Sequence, residues 1–497
     1  MMEKKHGFTL RHLVLLLIAA LVLARLASMA ALPLMDTTEA RYGEIGRKMA
    51  ALGDWVTPWH DDGVPFWGKP PLSFWLTAAS FRLLGVNEFA ARLPHALCAL
   101  AIAGLVWGLA RRHDPREALP ALALLTGSTL FFVSAGAVMT DGALVLGTTL
   151  AMHGFWQALH APTHGQRQRA GWSFFIGLAI GLLAKGPLAL VLAGTPLLAW
   201  LAWARRWRDA WRALPWLRGT VLALALALPW YVLAERRTPG FLQYFIAGEH
   251  WHRFVTPGWQ GDLYGTAHRF APGTIWLFAA AGLLPWTVVL PLAAWHSRRH
   301  SVDAASATPA ERQWLAYLLL WSAAPLLFFT ASRNIIWTYP LPGLPAGALL
   351  GAAWLVRRRL RVEAWLAAGL SLALALSGVA WAQAAHSGAI GRATAKSAVQ
   401  AWRRLGIADQ PLVVVGGPLF SAAFYSRDQA HRVQQVAQIQ PQWVRDGAFV
   451  AVSGGRQDQF RPAGFDIERN LGRFGSYELF KLRLAEPAPA TGHGTAP

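Results

Sequence analysis

The chain reads as a polytopic α-helical membrane protein followed by a small soluble α/β domain. Three observations predict this. Of 497 residues, 54% are hydrophobic and only 14% charged. Many apolar runs reach the ~20 residues that a helix needs to cross a bilayer. The net charge of +20 is gathered mainly in short loops between those runs, where it acts as a topology signal rather than a nucleic-acid surface. The 26 Trp suit aromatic belts at the two interfaces. The only cysteine is Cys98, so an intrachain disulfide and a cysteine-based metal cluster are both excluded.

The apolar pattern predicts about eleven spans, thirteen at most. They lie roughly at 10–32, 89–110, 118–135, 139–159, 171–184, 186–204, 213–234, 272–295, 313–331, 335–356 and 362–384. The first also resembles a signal peptide, but the spans that follow favour an uncleaved anchor. Arg25 falls inside it, with no partner evident from sequence. Span 171–184 is separated from its successor by Ala184-Lys185-Gly186-Pro187, because Pro ends a helical pattern. With Lys4, Lys5 and Arg11 in the cytoplasm, the loops carrying Arg111, Arg112 and Arg116, Arg167 and Arg169, Arg205 to Arg212, Arg298, Arg299 and Arg312, and Arg357 to Arg361 also fall there. The alternate short loops are nearly free of Lys and Arg, as the positive-inside rule requires.

The expected domains follow. Residues 1–385 form a transmembrane catalytic domain with two long outer segments, 33–88 and 235–271. In the first, Glu39 to Leu52 is amphipathic, and Pro71 to Leu84 opens with proline and stops at Gly85, so both read as helices. Residues 386–484 form an outer α/β domain, with a helix near 392–405 and strands at Pro411–Val415, Ala448–Val452 and Ser476–Leu482. Residues 485–497, rich in Ala, Pro, Gly and Thr, read as disordered.

On this topology the unexpected polar residues collect on the outer side. They are Asp36, Glu39, Arg41 and Lys69 in the first loop, Asp141 and Lys185 at outer turns, Glu249, His250 and His252 in the second loop, and Arg333 and Tyr339 around the last outer turn. Lys69, Lys185 and Arg333 run against the positive-inside bias. An anion would compensate them, Lys binding phosphate as a point charge and Arg as a fork. A phosphate held at the membrane face points to a lipid-linked phosphate. Displacing it from a sugar carbon requires a cation on the departing oxygen, and a nearby carboxylate suits general-base work. Blander readings stand beside this one for each residue. Asp36, Glu39 and Asp141 suit helix N-termini, Lys185 and Arg333 suit lipid headgroups, and His250 suits an ordinary surface.

The motifs that carry these residues have a family resemblance. Thr38-Glu39-Ala40-Arg41-Tyr42-Gly43-Glu44-Ile45, Gly53-Asp54-Trp55, Lys69-Pro70-Pro71 and Gly85-Val86-Asn87-Glu88-Phe89-Ala90-Ala91-Arg92 resemble the first outer loop of the lipid A aminoarabinose transferases, within the protein O-mannosyltransferase-like group of GT-C glycosyltransferases. Leu183 to Pro187 and Ser332 to Pro342 look like later motifs of that family. The resemblance implies a GT-C-like fold in a bacterial inner membrane, with the N-terminus cytoplasmic and the C-terminal domain periplasmic. It implies an inverting transfer of sugar from undecaprenyl phosphate to a lipid A-like or other periplasmic acceptor, lipid or glycan, as in lipopolysaccharide modification. Lys69 would hold the donor phosphate. Arg41, Tyr42, Lys185 and Tyr339 would line the cavity, and Asp141 would match the acidic residue after the third span. Two positions depart from the pattern. Thr38 stands at a family Asp, leaving the catalytic carboxylate open between Glu39 and Asp36. Gly68 stands where many members carry a Glu that contributes to a metal site, so no cofactor is implied with certainty and a divalent metal would lack that ligand. The competing reading is a transporter of the same lipid-linked sugar; such proteins place their site near the midplane between repeated halves, and no repeat is visible here.

Overall fold

The computed structural model describes residues 9–256, 258–265, 268–299, 307–332, 334–358, 360–405, 410–416 and 419–485. The chain divides into two compact units, one of residues 1–31 and 45–380, the other of 32–44 and 381–497. The second unit thus takes in the stretch carrying Asp36, Glu39, Arg41 and Tyr42. The expected disordered segment lies, apart from Ala485, outside the described residues.

Among the described residues each expected span contains helix, but in 335–356 it begins only at Leu341. Among the described residues five helices are long and apolar enough to cross a bilayer, or six if a bent pair is one span: Leu10–Ala31, Glu88–His113, Trp216–Arg237, Pro309–Thr330 and Val362–His386. Two expected spans are broken rather than continuous. One consists of Ala118–Gly127 and Thr129–Ser134. The other consists of Thr274–Gly282 and Trp286–Ser297, bent by 79°. Breaks inside a bilayer leave backbone groups that water cannot satisfy, and here the two breaks satisfy each other. The Thr129 N–H and hydroxyl both donate to the Leu284 carbonyl, at 2.9 and 3.0 Å. Arg25 is explained in the same way. Its guanidinium donates to the carbonyls of Ala135 and Val133, which lie where a helix ends and carbonyls lack intrahelical partners.

The site depends most on the hairpin of Asp141–His160 and His164–Lys185. Its seam is glycine. A Cβ on Gly147 would sit 2.6 Å from the Gly181 nitrogen, and one on Gly177 would sit 2.5 Å from the Ala151 nitrogen. Small residues let helix backbones approach this closely where lipid supplies no hydrophobic drive. Because the two helices are antiparallel neighbours, the first residue of one, Asp141, faces the last residue of the other, Lys185.

A short hairpin, β1 (Trp59–Asp61) with β2 (Val64–Pro65), precedes Lys69. The first loop carries the two expected helices, Thr38–Leu52 and Leu72–Leu84. The second outer segment contains a π-helix, Gln243–His252, which the apolar pattern did not signal.

The second unit holds a five-stranded sheet of β3 (Leu412–Val415), β4 (His431–Val433), β5 (Ala448–Ser453), β6 (Phe465–Phe474) and β7 (Tyr477–Leu484). Its order is β4-β3-β5-β7-β6, with β3 parallel to β4 and β5, and β7 antiparallel to β5 and β6. Fully buried strands such as Leu412–Val415 read as unbroken apolar runs. The helix Lys396–Leu405 packs Ala398 and Val399 into the core on one face of this sheet.

The glycine seam gives a direct prediction. Gly177→Val forces the hairpin apart and should destabilise the protein by roughly 1–3 kcal/mol, the usual range for overpacking. Gly194→Ala, where a Cβ meets nothing within 4 Å, should leave thermal unfolding in detergent unchanged or slightly improved.

Candidate active site

Lys185 and Asp141 form a buried ion pair, with Nζ to Oδ1 at 2.9 Å and the residues 7% and 6% exposed. A single charge is expensive at this depth; the pair is tolerated because each neutralises the other. Asp141 therefore spends its carboxylate on a lysine rather than on capping its helix. The helix of Lys185 ends at Gly186, whose φ of 72° suits glycine. A Cβ there would lie 2.6 Å from the Phe245 ring. Lys185 Nζ also sits 5.2 Å from the centre of the Tyr339 ring, within reach of a cation–π contact.

A second charged cluster faces the same cavity. Lys69 Nζ lies 3.2 Å from Glu249 Oε2, and Arg253 Nη1 donates to both Glu249 oxygens at 2.9 and 3.0 Å. Arg253 also reaches Asp262 at 3.4 Å. Burial alone would raise the Glu249 carboxyl, but Lys69 and Arg253 outweigh it and hold the group below its ordinary value. Burial likewise disfavours charge on Arg253, and Glu249 more than compensates. The two outer loops clasp each other behind this cluster: the Tyr264 hydroxyl accepts from the Trp67 N–H at 2.9 Å and donates to the Pro65 carbonyl at 2.7 Å.

Lys69, Lys185, Glu249, His250, Arg253 and Tyr339 line one cavity of about 330 Å³, with Phe254 and Phe329 among its apolar walls. Three cations stand on its wall with Glu249, and Asp141 and Asp262 counter Lys185 and Arg253 from behind. His250 has its two ring nitrogens near the carbonyls of Phe245 and Lys185, at 2.8 and 3.1 Å. Burial holds its imidazole below the usual histidine range, and its two carbonyl contacts tether the π-helix to the end of the Lys185 helix. Arg253 Nε and Asn334 Nδ2 are buried and meet no hydrogen-bond partner among the described residues.

Of the residues singled out from sequence, Lys69, Lys185, His250 and Tyr339 meet at this cavity, and Asp141 meets it through Lys185. Arg333 lies outside the described residues. Asp36, Glu39, Arg41 and Tyr42 belong to the second unit. There Asp36 accepts from both the N–H of Ser421, at 2.9 Å, and its hydroxyl. Glu39 lies in the first turn of its helix, where an acid suits the dipole. The Arg41 guanidinium lies 5.3 Å from the Tyr42 ring centre and 5.6 Å from that of Phe420. Arg253 was missed. Its signal was the same as that of Lys69, an outer-loop cation against the charge bias, with Glu249 four residues before it at helical spacing. The residues present do not fit a metal. Gly68 offers no side-chain ligand, a Cβ there would press 2.9 Å from the Phe66 ring, and no three His, Cys, Asp or Glu among the described residues form a group that could hold one.

Fold and sequence comparisons place the chain in a class. Its fold matches the crystal structure of ArnT from Cupriavidus metallidurans bound to undecaprenyl phosphate, with a TM-score of 0.77 at 21% identity, over 96% of this chain and 99% of that one. The apo form of the same protein gives 0.71. The family model described as dolichyl-phosphate-mannose-protein mannosyltransferase matches residues 9–245. The undecaprenyl phosphate-alpha-4-amino-4-deoxy-L-arabinose arabinosyl transferase 2 of Pseudomonas fluorescens is 31% identical over 365 residues, 72% of this chain and 62% of that protein. The corresponding transferase of Edwardsiella ictaluri is 32% identical over 329 residues, 65% and 56% of the two chains. The chain thus spans about three fifths of the length of these relatives. By sequence and by fold the chain is similar to the aminoarabinose transferases, the family that its loop motifs resemble.

Asp36 yields a pH prediction. Burial pushes its carboxyl up to about 6, against the pull of the Ser421 hydrogen bonds. Below the ordinary value of 3.8 the group is protonated whether folded or not. As pH rises from there to about 6, only the unfolded chain ionises freely, so stability of the second unit falls, by up to roughly 3 kcal/mol. Hydrogen exchange in β3 and β5 of the intact protein, corrected for intrinsic rates, should show this loss. Asp36→Asn should abolish it; an unchanged slope would refute the assignment.

Proposed function

We propose that the chain is an inverting glycosyltransferase that moves a sugar from a polyprenyl phosphate, undecaprenyl phosphate by analogy with its relatives, to a lipid A-like or other acceptor. In this reading the cavity faces the periplasm across a bacterial inner membrane. The observation that carries the reading is the convergence of three fixed cations, Lys69, Lys185 and Arg253, on one small cavity with apolar walls, each held in place by a carboxylate. A polyprenyl phosphate carries the complementary pair, an anionic head and an apolar tail.

The residues divide the work as follows. Arg253 and Lys69, already oriented by Glu249, hold the phosphate oxygens by charge-assisted hydrogen bonds. Lys185, held by Asp141, adds a third positive charge where the phosphate develops negative charge as the bond to the sugar carbon breaks. Because these groups are placed before substrate arrives, little reorganisation opposes the reaction. The acceptor attacks the opposite face of the sugar carbon, which inverts it. An acceptor phosphate is already anionic and needs no strong base, whereas a hydroxyl needs a carboxylate. Glu39 and Asp36 remain the proposed candidates for that role. A site at one end of the helices suits chemistry better than alternating access, whose sites lie near the midplane.

The test is transfer of radiolabelled sugar from lipid extracts by the purified protein, with products identified by mass spectrometry. Lys69→Ala should lower kcat/KM by ~10²-fold or more, as loss of a preorganised charge donor does. Glu39→Gln should abolish turnover only if the acceptor is a hydroxyl. Lipid movement across liposomes by a protein that transfers nothing would replace this reading with transport.

A further inference from the structure

The first unit holds a second and larger cavity, of about 950 Å³, at the other end of the same helices. Arg169 and Lys185 lie on one helix, roughly 24 Å apart at 1.5 Å per residue. Gln313 and Trp314 open the helix Pro309–Thr330, which ends near the first cavity. The wall of the second cavity carries Arg112, Arg169 and Arg206 with Glu311 as its one carboxylate. Glu311 is already matched by Arg357 at 3.1 Å. Nothing in the proposed transfer uses any of these groups.

Arginines near a membrane surface commonly reach outward to headgroups with no defined site. Two of these are instead fixed on the cavity wall by side-chain amides. Arg112 Nη1 donates to Gln157 Oε1 at 2.8 Å, and Arg206 Nη1 to Gln313 Oε1 at 3.5 Å. Arg206 Nε also donates to Asp209 at 2.8 Å, which orients it and offsets part of its charge. Each guanidinium has five N–H donors, so most remain for a ligand. The floor is Trp156, whose ring packs 4.7 Å from that of Trp314 and 4.2 Å from that of His160.

We infer that this cavity binds a phosphate-bearing anion, and that the ligand is the headgroup of an anionic phospholipid. Two fixed guanidinium groups, Arg112 and Arg206, with Arg169 beside them on the wall, match the phosphate oxygens as forks. Basic pockets between membrane helices on the side carrying the positive loops recognise such headgroups. The space far exceeds one orthophosphate, and Leu109, Trp156 and Ala170 supply apolar wall that only a lipid would use. Bound there, a lipid ties the ends of four helices together at the face remote from the first cavity.

The full-length protein in detergent is titrated with phosphatidylglycerol, phosphatidylcholine and inorganic phosphate, and bound ligand is counted by native mass spectrometry. Wild type and Lys69→Ala should hold phosphatidylglycerol alike and phosphatidylcholine at least ~10-fold more weakly. Arg169→Gln/Arg206→Gln should lose roughly tenfold in phosphatidylglycerol affinity, the scale of one charge-assisted hydrogen bond. If that variant does not fold, Arg112→Gln on the rim is read in the same way. Binding of inorganic phosphate alone, lost in the same variants, would keep the phosphate site and overturn its lipid ligand. Equal binding of the two lipids, or phosphatidylglycerol binding unmoved by the arginine variants, would overturn the proposal.

Discussion

Two antiparallel helices can hold a lysine against an aspartate inside a membrane only if their backbones come close and stay in register. Here Gly147, Gly177 and Gly181 permit that approach. The Lys185–Asp141 pair is both a product of it and a lock on it. Breaking such a pair by removing one partner leaves a buried charge, at a cost of roughly 3–5 kcal/mol. The pair therefore fixes the end of one helix, the Gly186 turn beyond it, and the start of the next helix at Leu188. Through the contact of His250 with the Lys185 carbonyl it also anchors the π-helix. That helix in turn delivers Glu249 and, one residue past its end, Arg253.

The consequence is a cavity whose charges are set before any ligand arrives. Neither carboxylate is spare. Each holds a cation at a defined distance, so their role is positional. This accounts for lysines in loops that the charge pattern of the sequence expects to be nearly free of them. They are not headgroup contacts spread along a surface, but fixed points around a volume of about 330 Å³.

Much of this was legible in the chain, for identifiable reasons. Helix positions followed from apolar run length, and the Lys185-Gly186-Pro187 break from proline and glycine chemistry. Lys69, Lys185 and Tyr339 stood out because outer-face cations and motifs are rare enough to notice. Other features were hidden. The breaks at Ser128 and at Leu283 to Pro285 lie in apolar runs long enough to read as single spans, although Gly127, Gly282 and Pro285 mark them. Strand β6 is polar and largely exposed, with an irregular register near Gly472, so no apolar run marked it. Asp36 and Arg41 read as part of the membrane-domain loop, yet residues 32–44 fold with the C-terminal unit. That pairing joins segments nearly four hundred residues apart, such as Asp36 and Ser421, and sequence spacing carries no trace of it.

The central claim is that Lys69, Lys185 and Arg253 form the seat of a lipid phosphate. It is tested most directly by determining the structure of the protein in a lipid nanodisc with undecaprenyl phosphate. The account predicts phosphate density within hydrogen-bond distance of Lys69 and Arg253, with the prenyl chain leaving past Phe254 and Phe328. Lipid phosphate bound elsewhere, with this cavity empty at saturating ligand, would contradict it.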